Sequence, residues 1–262
     1  MSWIIENESL VRLCVFFGLL AAMLAWEMAA PARRFEVPRL TRWSSNFGLV
    51  LIDTAVLRFA VPLLAIGVAA QGWGLMNWAE VPPWLAIVLG FIALELLVYW
   101  QHRMFHEVPF FWRFHRVHHC DTGFDVTTGF RFHPAEAVIS MLSKMAVVAM
   151  LGVPVLAVLI FEIVLSSTAV FNHGNVRLPR WLEPWARRFI VTPDHHRIHH
   201  SSVENETNSN YAFSISLWDH LFGTYQHAPT GGQQGMKIGL ETLREAGDQR
   251  LDRLLLQPLK KP

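Results

Sequence analysis

Apolar residues run along this chain at about 10–30, 47–70 and 83–101, with a fourth stretch at about 136–167. A membrane-spanning helix needs roughly 20 such residues, so the first three runs predict three spanning helices. The fourth is longer than one crossing needs and too short for two, and Gly152, Val153 and Pro154 interrupt it. Proline disfavours helix in the residue before it. The pattern predicts a re-entrant helical hairpin, with one long tilted helix as the alternative.

Charge orients these elements. Arg33, Arg34, Arg39 and Arg42 follow the first run, whereas Gly72 to Pro83 holds no lysine or arginine. The positive-inside rule puts the Arg33–Arg42 side in the cytoplasm. The third run returns there at His102, and Arg103, Arg113, Arg116 and Arg131 follow on the same side. Glu6 and Glu8 precede the first run without a basic n-region, which predicts a retained helix rather than a signal peptide. Asp53 and Arg58 are five apart, poorly aligned for a same-face pair, and are expected near an interfacial end or facing the bundle. Glu95 lies two turns before His102. Buried acids in membranes are costly and usually functional, so Glu95 either hydrogen-bonds toward a metal-ligating histidine or pairs inside the bundle.

Composition agrees with the runs. The chain is 52% hydrophobic and only 16% charged, against about a quarter charged in soluble domains. A net charge of +1 implies no nucleic-acid partner. The two cysteines, Cys14 and Cys120, form no CxxC pair, which argues against thiolate zinc and iron–sulfur sites. Cys120 reads as a small structural residue, or as one touching the site.

The candidate chemistry lies in the histidines. His102 and His106 stand in HRMFH, His115, His118 and His119 in HRVHH, and His196, His199 and His200 in HRIHH. His173, in FNHGN, falls between the last two boxes. Helical positions i and i+4 differ by about 40°, so both rings can reach one metal. An i, i+3, i+4 triplet can bind one metal and extend a ligand toward a second. Imidazole is the commonest protein ligand for iron, zinc and copper, and nine are about right for two metals. A headgroup-facing or metal-buffering patch would not require this repeated helical spacing. His195 points about 100° away from His196, as a tenth ligand or a hydrogen-bond partner. His133, in RFHPAE at the hairpin entry, reads as structural or as a hydrogen-bond partner to a ligand. His227 lies outside any cluster.

These boxes, the RFHP and FNHGN elements, TPDHHRIHH and the closing NYAFSISLWDHLFGTY resemble the fatty acid hydroxylase superfamily, also called the sterol desaturase family. The resemblance covers roughly residues 85–226. It implies an all-α integral membrane protein with a cytoplasmic helical cap holding a dimetal site. The implied divisions are an N-terminal transmembrane region at 1–84, a catalytic domain at 85–227 and a tail at 228–262. In that tail Leu240, Leu243, Leu251, Leu254 and Leu255 read as a short amphipathic helix.

Members of that family use a histidine-ligated di-iron centre, O2 and external electrons to hydroxylate or desaturate lipids. The resemblance assigns ligand roles to His102, His106, His115, His118, His119, His173, His196, His199 and His200. Asp219 fits the closing motif and is expected to position the third box by hydrogen bonding. The chain departs from many relatives at Ala169, where some carry a further histidine, and at His220, where many carry arginine. The implied cofactors are two iron ions, with zinc able to take the same ligands in a purified protein. The implied substrate is a fatty acyl, sterol-like or ether lipid.

No fused cytochrome, flavin or Rossmann signature is visible, so electrons are expected from a separate ferredoxin- or cytochrome-type protein. A zinc hydrolase would need a general base such as the glutamate of HExxH, and Glu107 beside His106 does not match that spacing. A histidine-rich membrane metal-binding or transport protein remains the alternative, although transporters keep their sites near the bilayer midplane. The expected location is a bacterial inner membrane. The segment RLPRWLEPWARR at 177–188 reads as amphipathic and lying on anionic headgroups, or else as a docking surface for an acidic donor. Trp78, Trp84, Trp100, Trp112, Trp181 and Trp185 are expected near the interfaces.

Overall fold

Proline and glycine set most of the helix boundaries. The computed structural model describes residues 2–34, 38–61 and 64–260. Three long helices come first, α1 (Glu8–Ala29), α2 (Arg39–Ala60) and α3 (Pro83–Glu107). Helix α3 opens with proline in its first turn, where the missing N–H costs nothing. It ends at Val108, which is extended because Pro109 follows it. Helix α4 (Pro109–His119) then starts at that proline, so the first two histidine boxes sit on adjoining helices.

A helical hairpin stands at the predicted place, but each of its arms is long and apolar enough to cross a membrane, so the stretch is not too short for two crossings. It consists of α5 (Pro134–Leu151) and α6 (Val155–Asn172). Gly152 turns the chain with a left-handed φ of 69°, the conformation glycine adopts most readily after a helix end. Asn77 Nδ2 donates to the Gly152 carbonyl at 3.3 Å and so closes the tip. Each arm has 18 residues, or about 27 Å at 1.5 Å per residue. The arms extend past both ends of the apolar stretch and are longer than its 136–167 limits suggested.

Among the described residues five helices are long and apolar enough to cross a membrane, by length and composition. They are α1, a stretch from Arg39 to Ala69 that contains α2, α3, α5 and α6. Helix α6 is central, packed against both α1 and α3. A buried cluster including Leu94, Val148, Ala157 and Phe161 joins α3 to the hairpin. Outward faces carry exposed Leu13, Phe17, Leu51, Ile92, Leu142 and Met150, as a lipid-facing surface would. Among the described residues there is no strand, and the one β-bridge is an isolated one between Ser201 and Ile238.

The second run is framed differently from its apolar limits. Helix α2 begins at Arg39, eight residues before 47, so Arg42 is helical and fully buried rather than a loop cation. Its guanidinium bonds Asp121 and, at 2.8 Å, Asp125. Burial alone would raise the Asp121 pKa, but Arg42 and Arg131 outweigh it and hold that carboxyl well below the usual range.

The remaining helices are short, and three of them bear on the site or the tail: α7 (Pro193–His199), α8 (Leu217–Leu221) and α9 (Leu251–Leu256). The five tail leucines gather on one buried cluster with Leu49, Val117 and Cys120. The tail therefore packs on α2 and α4, with Leu251, Leu254 and Leu255 in α9 and Leu240 and Leu243 outside it, so the five do not share the one helix expected. Cys120 is structural, with Arg131 donating to its sulfur at 3.1 Å.

Candidate metal centre

The nine histidines of the boxes and FNHGN converge from four elements. Helix α3 supplies His102 and His106 from its last turns, and α4 supplies His115, His118 and His119. His173 caps the C-terminus of α6. Thr192 caps α7 by accepting from His195 N at 3.2 Å, and Pro193 opens that helix. His196 and His199 follow within it, and His200 is its C-cap.

They divide into two buried groups. One holds His102, His106, His115, His119 and His199; the other holds His118, His173, His196 and His200. Within each group the ligating nitrogens lie within 4.8 Å of one another. Bonds of about 2.1 Å put opposite ligands about 4.2 Å apart, so each group has the dimensions of one metal shell. Both HxxHH boxes split. Each i, i+4 pair stays together while the remaining histidine crosses to the other group, because it faces a different side of the turn.

Hydrogen bonds fix the rings. His102 donates from Nδ1 to the Tyr211 carbonyl at 2.7 Å, and His199 donates to the Ser209 carbonyl at 2.7 Å. His115 Nδ1 faces Glu136 Oε1 at 2.7 Å, and His106 Nδ1 faces Asn208 Oδ1 at 3.3 Å. With Nδ1 the donor, each Nε2 carries a free lone pair. The Nε2 atoms of His106, His115, His119 and His199 are buried without a hydrogen-bond partner, which is what metal ligands without their ion present.

The second group shows the same need. His173 donates from Nδ1 to the Ala169 carbonyl at 2.8 Å, which makes its Nε2 an acceptor. That atom faces His118 Nε2 at 3.2 Å and His196 Nε2 at 3.0 Å. Both nitrogens of His200 are buried and unpartnered. The donor set is entirely imidazole and fits iron, as it also fits zinc.

Electrostatics keep these ligands neutral. Burial pushes His118, His119, His196, His199 and His200 well below the ordinary imidazole pKa, and mutual repulsion lowers them further. Burial takes His173 down to about 4. Metal binding requires neutral imidazole, and these rings meet that condition at pH 7.

The other candidates lie outside both groups. His195 Nε2 lies 3.2 Å from Asp219 Oδ2, whose carboxylate also accepts from Thr224 and Ala212. Asp219 thereby ties α8 to the third box. His133 caps α5 by accepting from Ala135 N at 3.1 Å, and its Nε2 faces the Leu255 carbonyl. Glu95 turns toward Ser214, Trp218 and the Ile215 backbone, not toward a ligand histidine. His220 stacks on Tyr225 away from the site. The ring of Trp112 packs against the site, 5.1 Å from His106 and 5.4 Å from His119. Trp78, Trp84, Trp181 and Trp185 are exposed.

Sequence reading missed Glu136. It lies in RFHPAE, one turn into α5 and only 2% exposed. Its signal was an acid just inside a proline-started helix, masked by the attention His133 drew. Glu136 also borders a cavity of about 440 Å³ that reaches His102, His115 and His118 and continues between α1, α2, α3, α5 and α6. Most of its wall is apolar, with Phe16, Leu57, Leu97, Met141 and Leu165 on it.

Comparison with known proteins follows this geometry. The chain is 32% identical over 146 residues to an ornithine lipid hydroxylase from Rhizobium tropici, covering 55% of this chain and 42% of that protein. It is 29% identical over 161 residues to the alkylglycerol monooxygenase of Xenopus tropicalis, covering 58% and 34%. The match thus spans less than half of either relative. It is 26% identical over 262 residues to the cholesterol 25-hydroxylase of Rattus norvegicus, covering 90% and 79%. No solved structure matches the chain. The family model for fatty acid hydroxylase matches residues 87–224, the span that carries all nine clustered histidines, and the chain belongs to that family.

Proposed function

We propose that this chain is a membrane-bound di-iron oxygenase that hydroxylates or desaturates a lipid C–H bond. The observation that carries the reading is the division of nine buried histidines into two metal-sized groups, of which His102, His115 and His118 also line the apolar cavity. Two iron ions held there would supply O2 activation and C–H oxidation. His102, His106, His115, His119 and His199 would hold one ion, and His118, His173, His196 and His200 the other. Tyr211, Ser209, Asn208, Glu136 and Ala169 orient the rings. The cavity has the volume and the largely apolar wall to admit an alkyl chain.

Electrons come from a separate ferredoxin- or cytochrome-type protein. The arginines after α1 and around α4 favour a site on the cytoplasmic face of this multi-pass membrane protein. Both histidine groups lie at helix ends, whereas transporters keep sites near mid-span; this favours the oxygenase over a transport role. The test is expression with an electron-donor system under 18O2, followed by lipid mass spectrometry. Wild type yields 18O-labelled or newly unsaturated lipid and His119→Ala yields neither. An unchanged lipidome from iron-loaded, reducible protein sinks the reading.

A further inference from the structure

The two histidine groups are held by different means. In the five-histidine group, His102, His106, His115 and His199 each set Nδ1 against an acceptor: the Tyr211 carbonyl, Asn208, Glu136 and the Ser209 carbonyl. In the four-histidine group His173 does so, against the Ala169 carbonyl. The Nδ1 atoms of His118, His196 and His200 are buried without a partner. The Nε2 atoms of His118 and His196 turn toward that of His173, so their Nδ1 atoms face away from the metal position.

Aromatic rings stand where those acceptors would be. Phe132 stacks on His118, with centroids 4.9 Å apart and planes 10° apart. Phe213 lies 6.2 Å from His173 and 6.0 Å from His196. Phe124 reaches three ligands, at 5.0 Å from His200, 5.7 Å from His173 and 6.3 Å from His196. Its backbone is left-handed, with φ 47°, which a bulky side chain keeps only where its surroundings over-determine it. Those surroundings are present. Gly123 N donates to Asp121 Oδ1 at 3.1 Å, and the Arg42 guanidinium leaves no room for a Cβ on Gly123. Arg197, ion-paired with Asp194, packs over the buried Phe124 ring at 5.2 Å. Strained residues gather at functional sites, and this one presses its ring on three imidazoles that two metal-facing hydrogen-bond patterns do not fix.

We propose that the two metal positions are unequal by construction: the five-histidine position retains its ion, and the four-histidine position, caged by Phe124, Phe132 and Phe213, exchanges it. Phe124 is the positioning residue of that cage. This deepens the two-metal reading and rests on it. An acceptor behind a ligating imidazole fixes its tautomer and raises its basicity, and its loss typically costs 10–100-fold in metal affinity. Four of five rings have that support at one position, and one of four has it at the other. Packing orients a ring without raising its basicity, and it leaves either tautomer open. The first position also has one more ligand, and the Glu136 carboxylate offsets the charge of its ion. It therefore fills first and empties last.

The test is release of Co2+ from the full chain in nanodiscs, loaded to saturation, into excess EDTA. Visible Co2+ absorption follows the coordination of the ions, and elemental analysis counts them. Two ions leave in separate phases whose rates differ by about tenfold or more. Glu136→Gln speeds the slow phase alone. Phe124→Leu and Phe132→Leu speed the fast phase alone and change its absorption bands, while Phe132→Tyr keeps both rate and bands. Thermal midpoints of the metal-free proteins establish that each variant is folded. Uptake of fewer than two ions by wild type, a single release phase, or a fast phase unaltered in rate and bands in the folded leucine variants overturns the assignment. So does a fast phase that responds to Glu136→Gln. The release involves no oxidation, so a single phase leaves the 18O2 result standing, and an unchanged lipidome leaves the two phases standing.

Discussion

His115 shows at the scale of one residue how the centre is tuned. Its Nδ1 faces the Glu136 carboxylate at 2.7 Å, both side chains are buried, and its Nε2 is left free. A carboxylate behind a ligating imidazole fixes the tautomer and raises ligand basicity, and losing such a partner typically costs 10–100-fold in metal affinity. Glu136→Gln keeps a hydrogen-bond acceptor but removes the charge. We expect it to weaken metal retention at the five-histidine group by roughly 10–100-fold, with the helical circular dichroism spectrum unchanged. Chelator competition followed by elemental analysis reads this directly, and wild-type affinity in the variant would remove Glu136 from the site. The nine histidines were legible because helical spacing repeats in the sequence. Glu136 was not, because it sits 21 positions from His115 and only the packing of α5 against α4 brings them together. The division into five and four was also hidden, since it depends on how α7 faces α3 and α4.

At the scale of elements, proline and glycine carried the legible part. Gly152 and Pro154 announced the hairpin, and Pro109, Pro134 and Pro193 start helices that bear or support the site. The hairpin arms were read short because their inner ends, from Pro134 and to Asn172, are polar where they meet the cap. Arg42 was read as a loop cation because its partners Asp121 and Asp125 lie about eighty positions away. The hairpin tip yields a prediction of its own. At φ 69° a Cβ is strained by about 1–2 kcal/mol, and one built on Gly152 would lie 2.3 Å from Asn77 Nδ2. Gly152→Ala should therefore lower the thermal midpoint in detergent. The tip is about 27 Å along α5 from the cap, so bound metal should not change. A variant that lost metal as readily as it lost stability would show the hairpin tip coupled to the site.

At the scale of the whole molecule, the cap buries nine imidazoles that must stay neutral to bind metal, and this links folding to pH. An unfolded imidazole titrates near 6.5, whereas folded His173 is pushed down to about 4, and five of its neighbours also lie well below the ordinary value. Between those limits the unfolded chain binds more protons than the folded one, so stability of the metal-free protein falls as pH falls. His173 alone accounts for about 3 kcal/mol once the pH passes below its folded pKa, at 1.36 kcal/mol per pKa unit. The thermal midpoint of metal-free protein should therefore drop progressively from pH 7 to pH 5. Bound metal adds stability at neutral pH, because it binds the folded site alone. Acid then removes that gain as protons compete for the same nitrogens, so the loaded protein should show the steeper decline. A metal-free midpoint that stayed level between pH 7 and pH 5 would mean that these imidazoles are already solvated in the folded chain, contrary to the burial of the cap.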